Sequence, residues 1–282
     1  MKYEKELLTA IELAQRAGEL VMKYHDSENI GIETKPDNTP VTLADKASNK
    51  LILEGLRKAF PLDGIVSEEM EKIDGKRIWY IDPIDGTKGF IRKNGDFAIH
   101  IGLVEDKNPV LGVVYKPLTK EYFYGVKDFG AYKVENGVAR KVEVNEEKVE
   151  MRLLVSYDYE KYGAVEQIAK LNPTKIIKKG SEGLRLMNIV ENIGDLRVTE
   201  NANMCNTWDL CAPHAIVEAA GGIVEFLDGT RIEYFGQGKL GKMYLAGKNR
   251  EIVEIAKKRL EVKKWANKLF AKIGLKVKEA GE

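Results

Sequence analysis

Apolar positions recur at helical spacing from the first residues of the chain. Leu7, Leu8, Ile11, Leu13, Ala14, Ala17, Leu20, Val21 and Tyr24 predict an amphipathic helix over residues 3–25. Lys35 to Pro40, with two prolines and several turn formers, reads as a loop. Thr42 followed by Asp45 has capping-box spacing and predicts a second helix running to about Phe60. The pattern then shortens. Ile65-Val66 is a short strand stopping at Ser67-Glu68-Glu69, and Arg77 to Ile81 is a buried strand that delivers Asp82-Pro83-Ile84-Asp85-Gly86-Thr87.

From Phe97 to Val134 the β-rich runs Ala98–Val104, Val110–Tyr115, Tyr122–Gly125 and Ala131–Val134 are separated by turn sequences, which predicts an antiparallel sheet. Lys141–Glu150 is charged and weakly patterned, and marks a boundary between a domain of residues 1–150 and one of residues 151–282. Beyond it, strands (Leu153–Ser156, Lys175–Lys178, Leu196–Thr199, Gly222–Phe226, Met243–Ala246) alternate with helices (Tyr162–Leu171, Leu184–Ile193, Trp208–Ala220, and Glu251 to about Ile273). That alternation predicts an α/β layer with a mixed sheet. The fold class is therefore α+β in the first half and α/β in the second.

Composition narrows the function. In 282 residues, 45 basic and 44 acidic side chains nearly cancel, so no global attraction to a nucleic acid polymer or a membrane surface is expected. No apolar run approaches a membrane span, and the acidic N-terminus is unlike a signal peptide. Two cysteines, Cys205 and Cys211, form no disulfide framework and are read as buried thiols. The expected compartment is cytoplasmic.

The chemistry lies in carboxylates that follow strands or open helices: Asp45, Glu68, Glu69, Asp82, Asp85 and Asp209. Two aspartates three apart are by themselves turn formers. Here they follow a buried strand and precede Gly-Thr, with Glu68-Glu69 upstream. Gathered carboxylates repel and are compensated by a divalent cation. Oxygen donors without a His or Cys cluster select Mg2+, with Mn2+ the other cation that fits. Two such ions can activate water and stabilise a leaving oxygen. Gly86-Thr87 offers backbone N–H groups to a phosphate. The residues therefore point to metal-assisted hydrolysis of a phosphate ester.

Asp82-Pro83-Ile84-Asp85-Gly86-Thr87, with Glu68-Glu69 before it and Trp208-Asp209 and Ala219-Ala220-Gly221-Gly222 after it, resembles the lithium-sensitive, magnesium-dependent inositol monophosphatase superfamily. The resemblance spans roughly Ile32 to Phe226 and implies a layered αβαβα sandwich. It implies that Glu68, Asp82 and the Ile84 carbonyl hold one metal and that Asp82, Asp85 and Asp209 hold a second, in a site of two or three ions inhibited by Li+. Asp45 and Thr87, with Glu68 or a metal, would orient and deprotonate the attacking water. Asp85, Gly86, Thr87 and Asp209 would face the substrate, and most metal ligands would lie in the first domain. The partner implied is a small phosphorylated substrate, and relatives include monomers and homodimers.

Within the superfamily, Ser67-Glu68-Glu69, Lys88-Gly89-Phe90, Pro36 to Thr42 and Asn94-Gly95-Asp96-Phe97 resemble the bacterial branch that converts 3′-phosphoadenosine 5′-phosphate to AMP. Gly180, Ser181, Arg185 and His214 sit where that branch contacts its nucleotide. The sequence departs from the branch in one residue inserted after Ser181, in Arg185 for a lysine, in an early Arg197, and in Pro213, expected to sit near the start of the Asp209 helix. Inositol, histidinol or fructose phosphatase activity, and a non-catalytic sensing module, remain the alternatives.

Overall fold

A computed structural model describes residues 1–27, 31–35, 39–145, 150–236 and 238–260. Helix α1 (Glu4–His25) buries Leu7, Ala10, Leu13, Ala14, Ala17 and Val21 along one stripe, while Leu8 stays exposed. Strands β1 (Glu33–Thr34) and β2 (Pro40–Val41) pair antiparallel ahead of α2 (Leu43–Ala59). The capping box is formed: Asp45 accepts from the Thr42 N–H, and the Thr42 hydroxyl accepts from the Asp45 N–H.

The first sheet contains β3 (Gly64–Ser67), β4 (Met70–Ile73), β5 (Arg77–Asp85), β6 (Ala98–Glu105), β7 (Asn108–Lys116), β8 (Glu121–Val126), β9 (Gly130–Glu135) and β10 (Val138–Val142), with the short helix α3 (Thr87–Ile91) between β5 and β6. Its order is β10-β9-β8-β7-β6-β5-β3-β4. All neighbours run antiparallel except β3 and β5, which are parallel. Strand β5 extends through both aspartates instead of ending at Ile81. A bulge makes this possible: Asp82 pairs with His100 and Asp85 with Ala98, so Pro83 and Ile84 stand opposite Ile99 alone. Strand β10 also enters the stretch that sequence pattern marks as a boundary.

The second sheet, in the order β12-β11-β13-β15-β14, is formed by β11 (Arg152–Val155), β12 (Lys175–Lys178), β13 (Leu196–Val198), β14 (Ile223–Phe226) and β15 (Tyr244–Gly247). It is mixed, as expected, with parallel pairing of β11 to β12 and β13 and antiparallel pairing of β15 to its neighbours. Helices α4 (Val165–Leu171), α5 (Glu182–Val190) and α6 (Thr207–Ala219) intervene. Helix α4 begins three residues later than its apolar pattern predicts, after Gly163 in the left-handed region at φ +73°. Residues 250–260 are helical, and the rest of the expected C-terminal helix, residues 261–273, lies outside the described residues.

Three apolar clusters define the layers. Helices α1 and α2 pack on one face of the first sheet. Helices α5 and α6 lie between the two sheets, so that one cluster joins Tyr80 and Val114 to Leu186, Ile216 and Tyr244. Helix α4 and Ile252, Val253 and Ala256 cover the far face of the second sheet. None of the described helices is long and apolar enough to cross a membrane.

Helix α6 lies unusually close to the first sheet. Gly102, Gly112 and Gly125 are cross-strand neighbours on β6, β7 and β8. A Cβ on Gly112 would stand 2.1 Å from the Ala212 carbonyl oxygen, and one on Gly102 would stand 2.9 Å from the Ala212 nitrogen. Glycine within a strand marks such an approach of two backbones. Pro213 lies inside α6, in its second turn, and not near its start. It has no N–H to offer the Asp209 carbonyl one turn earlier.

Candidate active site

Strand β5 is held by its neighbours along its whole length. Ile78 and Trp79 pair with Gly64 and Ile65 on β3, and the Trp79 indole donates to Asp63 at 3.0 Å. The strand therefore carries Asp82, Pro83, Ile84 and Asp85 as a rigid, buried bulge. The Pro83 carbonyl accepts from Ser48 of α2 at 3.1 Å, and the Ile84 N–H donates to Asp82 Oδ1 at 3.0 Å. Gly86 follows at φ +92°, and a Cβ there would meet the Asp96 carbonyl oxygen at 2.4 Å. Only glycine fits both demands. The chain then turns into α3, and the Thr87 hydroxyl sits 3.3 Å from both Asp45 Oδ1 and the Ile84 carbonyl oxygen.

The remaining carboxylates arrive from other elements. Asp45 comes from the first turn of α2 and Glu68 from the end of β3. Asp209 comes from the first turn of α6, in a second capping box where its Oδ2 accepts from the Asn206 N–H at 2.7 Å. One cleft is lined by Glu68, Asp82, Ile84, Asp85, Gly86, Thr87, Gly180, Arg185 and Asp209. Asp45 reaches it through Thr87. Ser181 caps α5 and donates its hydroxyl to Asp85 Oδ2, and the Gly183 N–H donates to the same oxygen at 2.8 Å.

The electrostatics are those of crowded acids. Burial pushes Asp45 up to about 6 and Glu68 up to about 7. Asp82 and Asp209 are raised well above the carboxylate range, first by burial and then by the other carboxylates of the cleft. Asp85 is the exception. Burial raises it too, but His100, Ser181 and the Gly183 N–H outweigh burial and bring it below its ordinary value. Lys35 pairs with Glu68 at 2.7 Å and also with Glu69. Those two acids raise the Lys35 ammonium against the opposing effect of burial.

Among the described residues no group of three or more His, Cys, Asp or Glu side chains stands as a ready-made cage for an ion. The hydrogen bonds of the four carboxylates nevertheless follow one pattern. Among the described residues, Asp82 engages only Oδ1, Asp85 only Oδ2, Asp209 only Oδ2 and Glu68 only Oε1. Each keeps one oxygen for another partner. Hard oxygens without imidazole or thiolate suit Mg2+, so the residues present fit that cation.

Several participants are not evident from the sequence. His100 lies in register opposite Asp82, and its Nε2 is 3.2 Å from Asp85 Oδ2. Asp96 accepts from the Gly180 N–H at 3.2 Å and pairs with Lys179 at 2.6 Å, tying the loop between α3 and β6 to the start of α5. Alternation in β6 places His100 on a buried face, but only strand pairing shows what it meets. His214 departs from its sequence-based placement. It is buried beside the Tyr234 hydroxyl at 3.0 Å and Glu218 at 3.1 Å, and it does not line the cleft. Cys205 and Cys211 are free and buried, as expected.

A layered α+β fold around a carboxylate cleft, with Asp-Pro-Ile-Asp-Gly-Thr where strand β5 turns into α3, defines a class of phosphatases. The chain belongs to the inositol monophosphatase family, whose model matches residues 2–269. It is 33% identical over 229 residues to the 3′(2′),5′-bisphosphate nucleotidase CysQ of Salmonella typhimurium, covering 79% of this chain and 91% of that one. It is 34% identical over 239 residues to CysQ of Buchnera aphidicola, covering 82% and 88%. Among solved structures, the inositol monophosphatase of Anabaena superposes with a TM-score of 0.76 at 26% identity, covering 93% of this chain and 97% of that one. The family is generally Mg2+-dependent and typically lithium-sensitive.

Proposed function

We propose that this phosphatase is a 3′(2′),5′-bisphosphate nucleotidase that converts 3′-phosphoadenosine 5′-phosphate to AMP and phosphate. The observation that carries the reading is the set of four carboxylates, each with one oxygen engaged and, among the described residues, one left over. Glu68, Asp82, Asp85, Asp209 and the Ile84 carbonyl would hold two or three Mg2+ ions. When bound, the metal supplies Lewis acidity at the phosphate oxygens and a water of lowered pKa.

The residues of the chain then have distinct tasks. Thr87, 3.3 Å from Asp45, orients the attacking water and passes its proton toward the Asp45 carboxylate, assisted by Glu68. Burial sets Asp45 at about 6, suited to accepting a proton near neutral pH. Gly86 and Thr87 N–H groups receive the phosphate, and the turn at Gly180 and Ser181 closes the other side. Residues 1–150 serve as the unit that supplies most ligands, and residues 151–282 bring Asp209 and the substrate wall.

Both sequence relatives are named as nucleotidases, which favours a nucleotide substrate. The Anabaena structure is named as an inositol monophosphatase, and His214 stands outside the cleft. The test is therefore comparative. Phosphate release should be measured from 3′-phosphoadenosine 5′-phosphate, inositol 1-phosphate, histidinol phosphate and fructose 1,6-bisphosphate. The highest kcat/KM is expected on the nucleotide, and a higher value on another substrate overturns the assignment.

A further inference from the structure

The two groups that donate to Asp85 Oδ2, the Ser181 hydroxyl and the Gly183 N–H, flank Glu182 at the start of α5. The buried Glu182 carboxylate is bonded in the opposite direction, to the second sheet. Its Oε1 accepts from Arg197 Nε at 2.8 Å and from the Tyr244 hydroxyl, and its Oε2 accepts from Arg197 Nη2 at 3.0 Å. Arg197 lies on β13 and Tyr244 on β15, two strands that pair antiparallel. We infer that Glu182 is a positioning residue for the hydrolysis: through Ser181 and Gly183 it fixes where Asp85 stands. The inference rests on the proposed role of Asp85 as a metal ligand and names what holds that ligand in place.

The anchor is itself held on several sides. Arg197 is fully buried, donates Nη1 to the Val198 carbonyl at 2.6 Å and shares Nη2 with Glu200 at 2.7 Å. The other Glu200 oxygen accepts from the Ser156 N–H at 3.0 Å, just past β11. Arg185 donates Nη2 to Glu182 and Nη1 to the Lys179 and Gly180 carbonyls, at 2.6 and 2.9 Å, while its buried Nε has no hydrogen-bond partner among the described residues. Two buried arginines thus face two buried glutamates. Burial raises Glu182, but Arg185 and Arg197 outweigh burial and hold it well below the usual carboxylate range. The paired bonds from Arg197 fix the direction of the carboxylate as well as its distance.

Glu182 lines the cleft, so a further metal-binding carboxylate is the rival reading. Its bonds decide against that. Glu182 has both oxygens engaged, whereas among the described residues Glu68, Asp82, Asp85 and Asp209 each engage one. Asp85 itself rides on β5 of the first sheet. The first turn of α5 is therefore a joint between two layers, gripping Asp85 with its cap and main chain and gripping the second sheet with Glu182. Breaking a buried ion pair from one side leaves the other charge unmatched. Any shift that relieves Arg197 is handed to the two residues beside Glu182. Groups that orient a metal ligand in this way are worth about 10–100-fold in metal affinity.

The test is Mg2+ affinity, measured by calorimetry without turnover, alongside kcat. The proteins compared are wild type, Glu182→Gln, the double variant Glu182→Gln/Arg197→Gln, Asp85→Asn, and the double variant combined with Asp85→Asn. Removing both charges of the pair keeps the network neutral, so folding of the double variant does not depend on an unmatched arginine. Arg152→Gln is the control, because it breaks the bonds to Asp195, at 2.9 and 2.8 Å, without touching the first turn of α5. Glu182→Gln and the double variant should each lose about tenfold or more in Mg2+ affinity, with a fall in kcat, and Arg152→Gln should keep both. With Asp85 already replaced, the Glu182 change should cost little further affinity, since residues acting through one group are not additive. Affinity lost in Asp85→Asn but kept in the double variant overturns the inference alone. So does a loss that Arg152→Gln shares in full, or one undiminished in the Asp85→Asn background. Wild-type affinity in Asp85→Asn overturns the reading of Asp85 as a ligand, and the inference with it.

Discussion

His100 Nε2 stands 3.2 Å from Asp85 Oδ2, reaching across from β6, the strand paired with the one that delivers the carboxylate. The imidazole is fully buried, and the Ser181 hydroxyl and Gly183 N–H converge on the same oxygen. Together they hold Asp85 below its ordinary value in a cleft where burial and the neighbouring carboxylates raise Asp82. Replacing His100 with Leu removes that support and raises the Asp85 pKa. Mg2+ affinity, measured by calorimetry, should then fall about tenfold at pH 6 and much less at pH 8. An equal loss at both pH values would reduce His100 to a packing role.

Asp82 offers a test in which stability and activity move in opposite directions. Burial and four neighbouring carboxylates raise it, while its Oδ1 accepts from the Ile84 N–H. Asp82→Asn keeps an acceptor oxygen and removes the charge. The metal-free variant should melt a few degrees higher, as expected for about 1 kcal/mol or more of relieved repulsion. Turnover should fall at least about a hundredfold, on the scale of losing one electrostatic partner of the reacting oxygens. A lower melting temperature would show that the carboxylates do not strain the empty cleft.

The pH dependence has a definite sign. Asp45 and Glu68 have ordinary values of 3.8 and 4.5 and are raised in the folded protein to about 6 and about 7, chiefly by burial. An acid raised on folding contributes stability that is complete below its unfolded pKa and lost as pH climbs through its folded pKa. Metal-free protein should therefore lose stability between about pH 4 and pH 7, by a few kcal/mol in all. Asp85, lowered on folding, acts in the opposite sense and only on the acid side of that window. Mg2+ competes with those protons, so its stabilising effect should grow over the same range. Melting curves at pH 5 and pH 8, with Mg2+ and with chelator, check this, and an equal Mg2+ effect at both pH values would refute it.

A backbone contact can be probed at Gly112. A methyl group there must fit into 2.1 Å beside the Ala212 carbonyl oxygen, which only a shift of α6 allows. Gly112→Ala should cost about 1–3 kcal/mol or more, as overpacking does. It should also lower kcat by moving Asp209 relative to Asp82 and Asp85. Gly236→Ala, where a Cβ meets nothing within 4 Å, is the control and should change neither. Retained kcat in a destabilised Gly112→Ala protein would separate the helix position from the chemistry.

Much of this architecture can be read along the chain because its signals are local. The α1 stripe, the Thr42–Asp45 capping box and the aromatic run into Asp82 each specify their element within a few residues. Helix α3 has only five residues, too few to show periodicity, and β10 carries mostly exposed side chains. The Asp209 capping box escapes notice because its Asn206 lies two residues before the expected helix start, and the helix begins one residue earlier than that start, at Thr207. What is lost altogether is pairing at a distance. Nothing near His100 announces Asp85, and nothing near Arg197 announces Glu182. The strand glycines are visible in sequence, but their shared register appears only once β6, β7 and β8 are laid side by side.

That glycine row has a consequence for how the site tolerates change. Asp82 and Asp85 ride on the first sheet and Asp209 rides on α6, so their spacing is the spacing between two pieces of main chain. At Gly112 the nearest atoms are all main chain, so no side chain there can switch rotamer and let the helix drift. Ligands far apart in sequence are thus gauged against one another as a machined slot gauges a key. A substitution on the surface of either layer leaves that backbone contact, and with it the interval between the aspartates, in place. Substrate preference is therefore free to diverge while the hydrolytic chemistry stays fixed.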